Sequence, residues 1–254
     1  MVIKNENDIK LLREGGKILA RVLRIVAEAV RPGSTTRELD EIAEREIRSV
    51  GGKPSFKGYK THGAKSAYPA SLCVSVNDEI VHGVPSERIL KEGDIVGLDI
   101  GMEYGGVFTD TATTVPVGKI DKAARKLLRV TKEALAVGIR EARAGNRIGD
   151  IGAAIQEHLE KNGFGVVREL VGHGVGRAVH EEPEIPNWGK RGAGRILEVG
   201  MVLALEPMAT EKNPAIKIGK DGWVWLTRDG SRSAHFEHTV LITKNGPEII
   251  TKTP

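Results

Sequence analysis

The chain has 254 residues, of which 40% are apolar, 28% charged and 4% aromatic, and 38 basic against 34 acidic side chains give it a formal charge of +4. Its start, Met1 to Lys10, is polar and unlike a secretory leader, and no apolar run approaches the roughly 18 residues of a membrane span. These features exclude collagenous, disordered and membrane classes, and the single cysteine, Cys73, excludes a disulfide framework and a cysteine-based zinc finger. A cytoplasmic globular protein is expected, with no membrane partner and no specific nucleic acid, because the sequence holds no run of consecutive basic residues studded with aromatics.

In chain order, the first signal is helical. From Asn7 the apolar positions Ile9, Leu12, Leu19, Val22, Val26 and Val30 recur at threes and fours, with one longer gap across Gly16, until Pro32-Gly33 stops the pattern. Thr35-x-x-Glu38 reads as a capping box opening a second helix, with Leu39, Ile42, Ala43 and Ile47 inward and Gly51-Gly52 at its end. Strands are expected at 71–76, 95–102 and 106–115. A long helix over 122–144, broken by Gly145, and another with Ile151, Ala154, Ile155 and Leu159 on one face then repeat the opening pattern, ending at Asn162-Gly163. An offset of 112 superposes helix, break, helix and stop: Arg13 falls on Arg125, Leu23 on Leu135, Arg31 on Arg143, Gly33 on Gly145 and Gly51 on Gly163. This predicts one domain, 1–254, made of two related halves, about 1–120 and 121–254, whose sheets meet about a pseudo-twofold axis. Further strands are expected at 166–171, 201–206 and 235–243, and the aromatic, β-branched run Trp223-Val224-Trp225-Leu226 reads as another.

The segment from Asp94 to Val115 reads as a hairpin turning at Tyr104-Gly105, which sets Asp99 directly opposite Asp110. Two ionised carboxylates so close repel unless one is protonated or a cation lies between them. Gly97 and Gly101 leave room beside Asp99, with Phe108 expected to cover Gly101, while Val96, Leu98, Ile100 and Met102 form a core face. A single Asp in a strand can simply mark an edge; an opposed pair on a glycine-cleared face favours a metal. Glu206 closes an apolar strand, Glu237 lies within another, and His173 sits between glycines that allow close approach. Each has a bland reading alone, as an ion-paired glutamate or a structural histidine. Together, two Asp, two Glu and one His suit two divalent cations such as Mn, Co, Fe or Zn, and hydrolysis by an activated water.

The segments Ser75-Val-Asn-Asp-Glu-Ile-Val-His82-Gly-Val-Pro, Gly97-Leu-Asp99-Ile-Gly, Phe108-Thr-Asp110-Thr-Ala, Gly172-His173-Gly-Val-Gly-Arg-Ala-Val-His180-Glu-Glu-Pro, Leu205-Glu206-Pro and Phe236-Glu237-His-Thr resemble, in order, those of type 1 methionine aminopeptidases. The resemblance implies the pita-bread fold, an α/β architecture of two pseudo-symmetric halves with a central antiparallel sheet covered by helices. It implies a monomer that removes the initiator methionine from nascent chains with a small second residue, through a hydroxide bridging two metals. Asp99 would bind one metal, Asp110 and Glu237 would bridge the pair, and His173 and Glu206 would complete the other. Glu206 would also shuttle a proton to the leaving amine, His180 would stabilise the developing oxyanion, and His82 would contact the peptide nitrogen. Tyr68, Cys73 and Trp223 match the wall of the methionine pocket, with Cys73 as packing. Val179 departs from the Phe that many relatives carry before this His, and the stretch 56–67 is longer than in compact bacterial members. The mild positive charge is compatible with a ribosome contact. The rival readings are an Xaa-Pro peptidase of the same fold, usually with an extra N-terminal domain for which Asp99 comes too early, and a peptide-binding protein that would have lost its ligands.

Overall fold

The computed structural model describes residues 2–3, 5–60 and 66–252, so residues 61–65 of the 56–67 stretch lie outside the described residues. Four helices occur among the described residues. Glu6–Ala29 (α1) starts where the Asn5 side chain accepts from Asn7 N, with Glu6 and Asp8 set favourably in the first turn. Thr36–Ser49 (α2) opens on the expected capping box, with Glu38 N donating to Thr35 Oγ1 and Thr35 N to Glu38 Oε2. Lys122–Glu141 (α3) is capped by Asp121, whose carboxylate accepts from Ala124 N, and Ile148–Lys161 (α4) packs against it closely enough that a Cβ on Gly138 would meet Ile155.

The offset of 112 carries α2 onto α4 residue for residue and the last residue of α1 onto the last of α3. The glycines between helices repeat too: Gly33 and Gly145 both have φ 93, a left-handed conformation suited to glycine, and each donates its N–H to the carbonyl of a later leucine, Leu90 or Leu197. α3 ends three residues before the expected helix end at 144. The Asn146 side chain caps the Glu141 carbonyl at 2.9 Å and draws the chain out of the helix early.

Among the described residues the strands form one nine-stranded antiparallel sheet and two three-stranded ones. In the large sheet the order is 53–54, 95–104, 107–116, 237–243, 202–205, 172–174, 181–185, with 72–76 also paired to 95–104 and 246–249 to 237–243. The two halves therefore join where Val107–Pro116 meets Glu237–Thr243. α1 and α2 cover Leu72, Val74, Leu98, Ile100 and Met102 of the first half, and α3 and α4 cover Leu203, Leu205, Val240 and Ile242 of the second. The helices thus seal one side of the curled sheet and leave the other free for polar side chains.

Three expected strands are corrected. Of the 166–171 segment only Val166 is paired, in the short strand Gly165–Val166; the chain then bends to cross from a small sheet into the large one, which it enters at Gly172–Gly174. The 235–243 strand is split at Phe236, where Ser233–His235 belongs to a small sheet and Glu237–Thr243 to the large one. The strand near Trp223 begins at Trp225, because the Asp221 carboxylate accepts from Trp223 N and Val224 N and holds those two residues in a turn.

Candidate active site

The hairpin of Ile95–Tyr104 and Val107–Pro116 turns at Gly105-Gly106, where φ is 61 and 84, and not at Tyr104-Gly105. Asp99 is consequently paired with Ala112, and Asp110 with Gly101, so the two aspartates are diagonal neighbours and not directly opposed. The slip is two residues in register, so both still point to the same face. Gly101 is covered by Ser55 and Phe56, not by Phe108: a Cβ there would clash with Ser55 Oγ and come within 2.7 Å of the Phe56 ring.

The register propagates across the sheet. Glu237 pairs with the other side of Ala112, so Asp99, Ala112 and Glu237 form one row with a small residue between two carboxylates. Thr239 pairs with Ala204, and Ala204 with His173; Glu206 lies two residues beyond Ala204 and hence on the same side. Asp99, Asp110, His173, Glu206 and Glu237 thus converge on the sheet face opposite the helices. The junction is pinned by Thr111 Oγ1 donating to Glu237 O at 2.9 Å, Asp110 N donating to Thr239 Oγ1 at 2.9 Å, and Thr239 Oγ1 donating to Asp110 O at 2.7 Å. His173 Nδ1 lies 2.9 Å from Gly174 O, which leaves Nε2 directed to Glu206 Oε1 at 3.6 Å.

Asp99, Asp110 and Glu237 are buried, and among the described residues no lysine or arginine lines their cavity. Burial raises Asp99 to about 7, and burial together with neighbouring carboxylates pushes Asp110 and Glu237 well above the usual carboxylate range. Burial also acts upward on Glu206, but His235 and His173 outweigh it and hold this carboxyl below its ordinary value. Asp99 Oδ1 and Glu237 Oε1 have no hydrogen-bond partner among the described residues, and ligand atoms of Asp110, His173 and Glu237 lie within 4.8 Å of one another. Buried oxygens without partners, clustered around one imidazole and lacking a cationic side chain, fit divalent metal ions.

The remaining sequence-predicted residues line the same cavity, of about 160 Å³. Tyr68 and Cys73 are buried, and Trp223 meets the Tyr68 ring edge-on at 5.2 Å. Cys73 is the strand partner of Asp99; burial, then that carboxylate, pushes its thiol pKa well up and keeps it protonated. His82 has φ 59, a left-handed conformation costing of order 1 kcal/mol or more for a non-glycine residue. Gly83 after it is packed so tightly that a Cβ would strike Val74 O. Burial lowers the His82 pKa to about 4. His180 stands at the cavity mouth, and the protein packed around its ring, then the neighbouring His173, lowers it to about 3. Both imidazoles are neutral near pH 7.

Sequence reasoning missed three residues of this site. Phe56 and Tyr59 also line the cavity, from a segment whose packing no local pattern announces. His235 Nε2 lies 3.5 Å from Glu206 Oε2; its place two residues before Glu237 was the one available hint.

The chain matches the model of metallopeptidase family M24 over residues 10–244, and it belongs to that family. Among its relatives, methionine aminopeptidase of Clostridium perfringens is 50% identical over 251 residues, covering 99% of this chain and 98% of that protein. Methionine aminopeptidase 1 of Bacillus subtilis is 45% identical, covering 99% of both. The crystal structure of methionine aminopeptidase from Thermotoga maritima superposes with a TM-score of 0.95 at 44% identity, over 99% of this chain and 100% of that one. A prolidase from Pyrococcus furiosus, at 23% identity and a TM-score of 0.77 over all of this chain and 66% of its own, shares the fold alone. The expected pita-bread fold is borne out by these superpositions.

Proposed function

We propose that the chain is a type 1 methionine aminopeptidase, which hydrolyses the first peptide bond of chains that begin with methionine followed by a small residue. The observation that carries this reading is the convergence of Asp99, Asp110, His173, Glu206 and Glu237 on one sheet face beside a pocket walled by aromatics and a thiol. The methionine side chain fits the space among Phe56, Tyr59, Tyr68, Cys73 and Trp223, where a soft thioether packs well against rings. Asp99 would hold one divalent cation of the Mn, Co, Fe or Zn kind, His173 and Glu206 a second, with Asp110 and Glu237 shared. When bound, such a pair supplies Lewis-acid polarisation of the scissile carbonyl and an activated water.

The chain's own groups do the rest. Glu206, kept ionised by its histidine neighbours, takes the proton of the attacking water and delivers it to the leaving amine. Neutral His180 donates a hydrogen bond to the carbonyl oxygen as negative charge develops there. His82, fixed in its unusual backbone conformation, meets the peptide nitrogen. Past the two histidines a groove of about 480 Å³, flanked by Glu181 and Glu184, receives the rest of the peptide.

Release of methionine from Met-Ala-Ser, followed by chromatography, tests the reading. Release should stop on exhaustive chelation and return with added divalent cation. Equal turnover after chelation, or preference for Xaa-Pro dipeptides over Met-Ala-Ser, would overturn it.

A further inference from the structure

The hydroxyl of Tyr59 lies 2.9 Å from Nδ1 of His180. It is the only hydrogen bond of the Tyr59 side chain among the described residues. The tyrosine ring lies 5.0 Å from the imidazole, and the His173 ring lies 4.3 Å from it. Two rings thus pack against the imidazole, and the Tyr59 hydroxyl contacts one of its two nitrogens, Nδ1.

A phenol is a good donor and a weak acceptor, because its oxygen lone pair is drawn into the ring, whereas the unprotonated imidazole nitrogen is a strong acceptor. The favoured arrangement therefore has Tyr59 O–H donating to Nδ1. A neutral imidazole carries one proton, so it must then reside on Nε2. The opposite tautomer would present a lone pair to the substrate carbonyl oxygen, which is repulsive where attraction is required.

The backbone of Tyr59 is itself held. Gly58 N donates to Tyr68 O at 2.9 Å, Tyr68 N to Tyr59 O at 2.7 Å, and Tyr59 N to Phe56 O at 2.9 Å. We propose that Tyr59 is a positioning residue, whose hydroxyl holds His180 in the tautomer that offers Nε2–H to the scissile carbonyl oxygen. The role goes beyond lining the methionine pocket, and it rests on the aminopeptidase reading above.

Tyr59→Phe in the metal-loaded enzyme tests it, since the ring and the pocket wall remain. The kcat for Met-Ala-Ser should fall roughly tenfold or more, as expected when a catalytic donor is misplaced, while KM stays within about twofold. In a His180→Ala background the same change should be silent. The second readout is the nitrogen NMR signature of His180 in the zinc-loaded protein: protonated Nε2 and bare Nδ1 in the parent, a mixture of tautomers in Tyr59→Phe. A raised KM with unchanged kcat would make Tyr59 a pocket wall only, and an unchanged Nε2–H signal in the variant would equally overturn the proposal. If the parent enzyme fails to cleave Met-Ala-Ser, the functional reading falls, and the NMR comparison still decides what Tyr59 does to His180.

Discussion

The Tyr68 hydroxyl donates to the carbonyl oxygen of Gly83 at 2.8 Å, one residue past His82. It also reaches Leu72 O at 3.2 Å, so a residue of the pocket wall ties down the backbone that holds His82 with φ 59. Tyr68→Phe should cost about 1 kcal/mol of stability, because the Gly83 carbonyl keeps a second bond from Val74 N and is not orphaned. The loss of kcat/KM should exceed that figure, about tenfold or more, because His82 is freed to relax. Urea unfolding alongside kinetics separates the two; a loss of activity no larger than the loss of stability would argue against the link.

Gly101 faces Asp110 across the hairpin and touches Ser55 and Phe56 on its open side. Gly101→Ala must displace the Phe56 ring, at a cost of roughly 1–3 kcal/mol for overpacking. Because Phe56 also lines the cavity, KM for Met-Ala-Ser should rise in the same variant. Unchanged KM and melting temperature would mean that the segment yields freely.

Glu206→Gln keeps the size of the side chain and removes its proton-accepting charge. Activity should fall by a factor of about 10² to 10⁴ with the circular dichroism spectrum unchanged. Near-parental turnover would remove Glu206 from the proton path.

The metal-free protein should lose stability as pH rises above about 7. Asp110 and Glu237, whose pKa values lie well above the usual carboxylate range, and Asp99, at about 7, release their protons at higher pH in the folded state than the unfolded chain does, near 4. More protons bound when folded means that stability falls with pH, by about 1.4 kcal/mol per unit for each proton held. Between about 4 and 6.5 the slope is opposed, because His82 at about 4, His180 at about 3 and His238 at about 4 bind fewer protons when folded. The stability curve of chelated protein should therefore be shallow below 6.5 and descend beyond it. Saturating metal should abolish the descent and release protons into weak buffer on binding. Urea midpoints that rise between pH 7 and 9 in the chelated protein would contradict this.

The candidate ligands were legible because carboxylates inside apolar strands are conspicuous: Glu206 follows Leu203-Ala-Leu, and Asp99 sits among Val96, Leu98 and Ile100. The helices were legible through their caps and period. The hairpin partner was not, because Gly105 and Gly106 both permit positive φ, and moving the turn by one residue shifts the pairing by two while preserving the face. The face of Asp99 and Asp110 was therefore right and their opposition wrong. Phe56 and Tyr59 reach the cavity, and His235 reaches Glu206, through contacts with residues far away in sequence, which no local period records. The split of the 235–243 strand at Phe236 depends on the second sheet, which becomes visible only once the chain is folded.

The seam between Thr111 and Glu237, groups 126 residues apart, also sets a clock. Asp99 and Asp110 emerge early in synthesis, but the row they share with Glu237 closes only when the C-terminal strands have been made and have found the first hairpin. Until then each half holds only part of the candidate ligand set. A newly translated copy is therefore inert while it is still being made, and its own amino terminus must be left alone or served by a molecule finished earlier.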